Sequence, residues 1–106
     1  MRQPPHDQVS PPIFAPWMTK ALGYEGTREL IGGELNPAVR AFFQHTRYPQ
    51  ELIGKQTKWC AAFVCACLER SDVRSPRSAR AAAFESWGIE LTRPIYGAIL
   101  VFKNHV

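Results

Sequence analysis

The chain has 106 residues, 45% hydrophobic and 21% charged. That mixture fits one ordinary globular domain and excludes a second folded one, a collagen-like repeat and a disordered polyelectrolyte. No apolar run approaches the roughly 18 residues of a membrane-spanning helix, and a net charge of +4 favours encounter with polyanions without naming one.

In chain order, residues 1–15 carry Pro4, Pro5, Pro11 and Pro12 and predict an extended, flexible arm, with Ile13, Phe14 and Trp17 marking where it docks. Residues 17–22 predict a short helix stopped at Gly23. The glycine-bearing stretch 24–35 reads as loop, with one helical turn around Glu29. Asn36-Pro37 supplies an N-cap and a first-turn proline for a helix over 37–46 that points Val39, Phe42 and Phe43 inward and ends at Tyr48-Pro49. Residues 59–69 are apolar nearly all round and rich in alanine, which predicts a central buried helix.

Ser75-Pro76 repeats the cap-and-proline signal and predicts a helix through Trp87, with Gly88 as its left-handed stop. Residues 89–91 and 98–102 predict strands around a Pro94 and Gly97 turn, the second covered on both faces. Helices first and strands last predict an α+β fold. The chain closes directly after its best strand, so the sheet is expected to be incomplete and the domain over 16–106 to be truncated at its C-terminal side.

Three cysteines, Cys60, Cys65 and Cys67, crowd into eight positions, which is no disulfide framework and suits a reducing compartment during folding. On one helix Cys60 and Cys67 stand about 10.5 Å apart along the axis, too far to bridge. Cys65 points away from both, so the spacing does not suit zinc, and no metal or other cofactor is called for. Cys60 opens the helix, where unpaired amides and the macrodipole favour the thiolate, whereas Cys65 and Cys67 are expected to be inert packing residues. A thiol hydrolase also needs a histidine. His6 lies in the arm, His45 fits a helix C-terminus, and His105 follows the last strand and could project toward Cys60.

Trp59-Cys60-Ala61-Ala62-Phe63-Val64 resembles the nucleophile motif of the papain-like cysteine peptidases of the NlpC-like and CHAP-like branch, the bacterial and phage peptidoglycan hydrolases. The order of the flanking landmarks is similar as well. Pro16-Trp17-Met18, Ala21-x-Gly23, Glu29-x-x-Gly32 and Asn36-Pro37 precede the motif, and Ser78-Ala79-x-Ala81, Trp87-Gly88 and Pro94-x-x-Gly97 follow it. The resemblance covers residues 16–106. It implies a papain-like domain with a Cys-bearing helix packed on a short antiparallel sheet, Cys60 as nucleophile, His105 as general base, and cleavage of an amide bond in the peptidoglycan stem peptide.

The family's third polar residue lies on a following strand, absent from this chain, and Gly97-Ala98 stands where the family carries Gly-Asp. No apolar stretch followed by a cleavage site opens the sequence. The resemblance therefore implies a protein made in the bacterial cytoplasm that reaches the cell wall by another route of export or by release, with an inhibitor or immunity protein as a second class of partner.

Of the three tryptophans, Trp59 beside the nucleophile has the best claim to a substrate groove, whereas Trp17 and Trp87 read as core. Glu29 reads as a helix-capping or Arg-paired carboxylate. Arg70, Arg74, Arg77 and Arg80 surround the start of the fourth predicted helix and support the alternative function, a non-catalytic or degenerate basic module that binds an anionic wall polymer or nucleic acid. No zinc-finger spacing, helix-turn-helix turn or alternation of basic and aromatic residues points to nucleic acid as a sequence-specific partner.

Overall fold

The computed structural model describes residues 1–5 and 15–106; positions 6–14, with His6 and the docking residues Ile13 and Phe14, lie outside them. The elements in chain order are β1 (Arg2–Gln3), α1 (Pro16–Leu22), β2 (Leu30–Ile31), β3 (Glu34–Leu35), α2 (Pro37–Phe42), α3 (Cys60–Glu69) and β4 (Ile89–Glu90). Short 3-10 turns cover Phe43–His45, Gln50–Leu52 and Ala81–Ser86. The fold is α+β, with two small antiparallel sheets, β1 with β4 and β2 with β3.

Helix α3 is the axis of the molecule because it is apolar on two sides. Ala61, Cys65 and Leu68, spaced four and three residues apart, face a cluster with Trp17, Val73, Phe84 and Ile99. Ala62 and Ala66 face a second cluster of Val39, Phe42, Phe43 and Ile53. The alanines let bulky aromatics approach the helix backbone, and Val39, Phe42, Phe43 and Phe84 are fully buried. At about 25 cal/mol per Å² of apolar area, each such phenylalanine contributes about 2–3 kcal/mol to the hydrophobic term.

The α2 start forms as its sequence predicts. The Asn36 side chain accepts a hydrogen bond from the amide of Ala38 at 2.9 Å with Pro37 in the first turn. The helix is shorter than 37–46, since it tightens into the Phe43–His45 turn, where the hydroxyl of Thr46 donates to the Phe43 carbonyl at 2.8 Å.

Three expectations are corrected. First, residues 24–35 hold a hairpin rather than a loop with a helical turn. Gly32 and Gly33 take φ of 59° and 82°, the two positive values a two-residue type I′ turn requires, and pair β2 with β3.

Second, no helix starts at Ser75-Pro76. Ser75 does accept the amide of Arg77 at 3.0 Å, as a cap would. The Glu69 carboxylate, however, holds the Ser75 amide and hydroxyl at 2.7 and 2.8 Å and the Arg77 guanidinium at 3.1 and 3.2 Å. Arg77 is thereby turned to φ 54°, out of helical space, and the chain becomes helical only at Ala81–Ser86. Gly88 has the expected left-handed φ, 65°.

Third, residues 98–102 form no continuous strand covered on both faces. The place beside β4 is taken by β1, with Arg2 opposite Glu90 and Gln3 opposite Ile89. On its other edge Arg2 exchanges two 2.8 Å backbone hydrogen bonds with Ile99. Beyond Ile99, Leu100 and Phe102 are exposed. The first residues of the arm are thus extended, as expected, but built into the domain, and Pro4 is fully buried.

The Cys-bearing helix consequently packs on α1, α2 and the Phe43–His45 turn, with Ile99 as its contact from the strand region. Among the described residues, no helix is long and apolar enough to cross a membrane.

Candidate active site

Cys60 is the first residue of α3, with Trp59 at the N-cap. The helix's first internal hydrogen bond runs from the Phe63 amide to the Trp59 carbonyl at 2.9 Å, which leaves the amides of Cys60, Ala61 and Ala62 without an intrahelical acceptor. All three cysteines are free, and Cys60 alone is partly exposed. Burial pushes the Cys65 thiol above its ordinary value, and the carbonyl of Ser78, 3.4 Å from its sulfur, is an acceptor that suits the neutral S–H. Burial drives the Cys67 thiol to about 11. At neutral pH both remain protonated and packed, so the accessible thiol is that of Cys60.

The Cys60 side chain opens into a cleft of about 680 Å³ whose lining includes Trp59 and His105. The sequence separates Cys60 from His105 by 45 positions, and two devices return the later residue to the helix start. Gly97, at φ 86°, is held under the indole of Trp17, whose N–H donates to its carbonyl at 2.8 Å. Phe102 and His105 then pair across Lys103-Asn104, their amides reaching each other's carbonyls at 2.8 and 3.2 Å. Asn104 takes φ 68° in this turn, a conformation asparagine tolerates better than most residues. His105 is exposed and Val106 packs against the core beside it.

The walls are largely apolar. Met18, Ala21 and Leu22 of α1 form one side, and Trp59, stacked on Phe42 with centroids 5.9 Å apart, and Phe63 form another. Phe63 was legible as a wall residue, because it stands one helical turn beyond Trp59. Tyr24, which packs edge-on against Phe42 and Phe63, carries no such signal and reaches the cleft through the bend after α1.

Glu29 also lines the cleft. It neither caps α2 nor forms an ion pair with any described residue; instead its backbone carbonyl accepts the Asn36 amide at 2.8 Å. The Gly32-Gly33 pair between Leu30-Ile31 and Glu34-Leu35 was the sequence signal for the hairpin that makes this contact.

The other candidates fall elsewhere. Trp17 is buried, as expected of core, while Trp87 is half-buried against Phe84 and donates to the Arg74 carbonyl. His45 accepts a hydrogen bond from Arg70 at 3.2 Å, and burial, reinforced by the Arg70 charge, holds its pKa below the ordinary histidine value. Arg70 lies over the rings of Tyr24 and Phe42 and bonds the Tyr24 hydroxyl, and Arg77 is paired with Glu69. Arg70 and Arg77 are therefore engaged within the domain rather than displayed for a partner. Among the described residues, no group of three or more His, Cys, Asp or Glu side chains could hold a metal ion.

Comparison with protein-family models, with curated proteins and with solved structures finds no match to this chain.

Proposed function

We propose that this protein is a papain-like cysteine hydrolase of the NlpC-like and CHAP-like type, cleaving an amide bond of the peptidoglycan stem peptide with Cys60 as nucleophile and His105 as its base. The observation that carries the reading is that Cys60, Trp59 and His105, singled out by residue type and motif, line one cleft. Met18, Ala21 and Glu29 from the flanking landmarks line it too.

In this mechanism His105 takes the Cys60 proton and the thiolate sulfur bonds to the substrate carbonyl carbon. The amides of the first turn of α3 are the donors available to the resulting oxyanion. Collapse breaks the carbon–nitrogen bond while imidazolium His105 protonates the leaving amine. Water, deprotonated by the same imidazole, then releases the acid and restores the thiol.

Timed alkylation with iodoacetamide near neutral pH, read by peptide mass spectrometry, tests the nucleophile. Cys60 is expected to react at least about tenfold faster than Cys65 and Cys67, which are protonated and enclosed. Digestion of purified peptidoglycan tests the reaction. Release of new amino groups should be lost by about a thousandfold in both Cys60→Ala and His105→Ala. Equal labelling of all three thiols only after denaturation, or amine release that survives Cys60→Ala, overturns the proposal.

A further inference from the structure

Arg70 closes α3 as its C-cap, about 15 Å along the axis from Cys60 at about 1.5 Å per residue, yet it is joined to the wall of the Cys60 cleft. Its guanidinium donates to the Tyr24 hydroxyl and lies over the rings of Tyr24 and Phe42, 5.7 and 5.6 Å from their centroids. Tyr24 in turn meets Phe63 edge-on at 6.1 Å, and Phe42 stacks on Trp59 at 5.9 Å. Tyr24, Trp59 and Phe63 all line the cleft with Cys60. The two rings under Arg70 are held unequally. Phe42 is fully buried, whereas Tyr24 is half-buried on the bend after α1, so the orientation of Tyr24 depends more on the bond at its hydroxyl.

The other side of the same guanidinium faces His45. Arg70 Nε donates to His45 Nε2 at 3.2 Å, a bond that exists only while that nitrogen keeps its lone pair. His45 is half-buried and borders a second, polar cavity of about 280 Å³ whose charged lining is Arg47, Glu69 and Arg77. The Glu69 carboxylate there is already bound by Ser75 and Arg77. Burial and the charge of Arg70 hold the His45 pKa below its ordinary value against the pull of Glu69, so near neutral pH the imidazole is an acceptor. A proton on Nε2 removes that acceptor and sets two cations face to face. Because Nε and the Nη atoms belong to one rigid plane, displacement of Arg70 at His45 is also displacement at Tyr24.

We propose that Arg70 is a positioning residue of the Cys60 cleft: it sets the Tyr24 wall, neutral His45 holds it in place, and a proton on His45 releases both. The consequence for catalysis rests on the reading of Cys60 as the cleft's reactive group. The first test therefore reads Tyr24 and needs neither the thiol nor turnover.

Tyrosine labelled with carbon-13 in the ring reports the wall by NMR, and Tyr24→Phe identifies the Tyr24 signal among those of the three tyrosines. From about pH 7.5 to about 4.5, the Tyr24 signal is expected to titrate with the midpoint of the His45 ring C–H. In His45→Gln, whose amide oxygen still accepts from Arg70, it should not titrate. In Arg70→Gln it should no longer follow His45. A Tyr24 signal that is constant in the intact protein, that still titrates in His45→Gln, or that still follows His45 in Arg70→Gln overturns the inference, the last because it reports only a nearby charge.

Modification of Cys60 reads the consequence. An aromatic wall can stack the flat rings of 2,2′-dipyridyl disulfide but not methyl methanethiosulfonate, and the ratio of their rates, normalised to free cysteine, cancels the ionisation of Cys60. The intact protein is expected to prefer the aromatic reagent at least about threefold more at pH 7.5 than at pH 4.5. His45→Gln should keep the preference at both pH values and Arg70→Gln should lose it at both, with circular dichroism verifying that each protein is folded. A ratio independent of pH in the intact protein, or a full preference in Arg70→Gln, overturns the inference. Peptidoglycan digestion that fails while Tyr24 and the ratio behave as expected removes the hydrolase reading and leaves the Arg70 clamp standing.

Discussion

The indole N–H of Trp17 donates to the carbonyl of Gly97 at 2.8 Å in a buried contact that joins α1 to the segment carrying His105. Gly97 is required there for two reasons. Its φ of 86° disfavours any side chain, and a β-carbon would stand 2.5 Å from that of Ala15 and 3.1 Å from the indole ring. Residues 98–106 can therefore reach the cleft only with glycine at this position and an indole above it.

Trp17→Phe keeps an aromatic ring but leaves the Gly97 carbonyl unpaired, which should cost about 1–3 kcal/mol in urea unfolding. Gly97→Ala should cost at least as much, through backbone strain and the clash with Ala15. If the proposed hydrolysis holds, amine release from peptidoglycan should in both variants fall further than the folded fraction does, because the segment carrying His105 is displaced from the cleft. A stability loss with specific activity unchanged per folded molecule would detach the latch from the site.

The amino-terminal residues belong to the core of the small sheet. The Arg2 side chain donates to the carbonyls of Trp87 and Gly88 at 2.6 and 3.2 Å, and the Leu91 amide donates to the Met1 carbonyl at 2.9 Å. Arg2→Ala is expected to destabilise by about 2 kcal/mol. Gly88→Ala should be worse, since a β-carbon there would lie 2.0 Å from the Gln3 carbonyl oxygen. Removal of residues 1–5 should lower the urea midpoint more than Arg2→Ala does; an unchanged midpoint would mean that β1 adds nothing to the folded state.

Asn36 makes four hydrogen bonds, two of them through its side chain, so Asn36→Ala should cost about 2 kcal/mol, at the upper end of cap losses. Asn36→Asp retains the acceptor for the Ala38 amide and loses the donor to Arg28. It should recover part, but not all, of the urea-unfolding stability. Full recovery would show that the cap alone matters and that the bond to Arg28 adds nothing.

On the acid side, His45 and Glu69 make stability pH-dependent. A histidine whose folded-state pKa is lowered, as burial and Arg70 lower that of His45, leaves stability intact above its ordinary value. That stability is lost as falling pH protonates the unfolded chain first. For Glu69, burial pushes the carboxyl up, but hydrogen bonds from Arg77 and Ser75 outweigh it and hold the pKa below the ordinary value. Its stabilisation is present above the ordinary glutamate pKa and disappears as pH falls through the folded one. Urea unfolding from pH 8 to 3 should therefore show an initial decline beginning near pH 6.5, absent in His45→Gln, and a second near pH 4, absent in Glu69→Gln.

The sequence alone determined the elements whose causes are local. Asn36-Pro37 dictates the start of α2 because a side-chain acceptor and a preset φ act within three residues. Alanine and cysteine on both sides of 60–69 dictate a helix enclosed by two clusters, and the position of Cys60 at its start follows from the same pattern. Gly32-Gly33 carried the hairpin just as locally, although the stretch 24–35 reads as loop by composition.

Tertiary structure decided what depends on competition between distant segments. Ser75-Pro76 has a helix-start signature, but Glu69 captures Ser75 and Arg77 and bends the chain away from helix. Residues 98–102 have the composition of a covered strand, but β1 already occupies the neighbouring edge, so only Ile99 pairs. His105 and Glu29 enter the Cys60 cleft through Trp17 with Gly97 and through Asn36, contacts between residues far apart in the chain for Trp17 and across a hairpin for Asn36. Periodicity records which face of an element is apolar; it does not record which of several partners reaches a hydrogen-bonding group first, and that choice assembled the site.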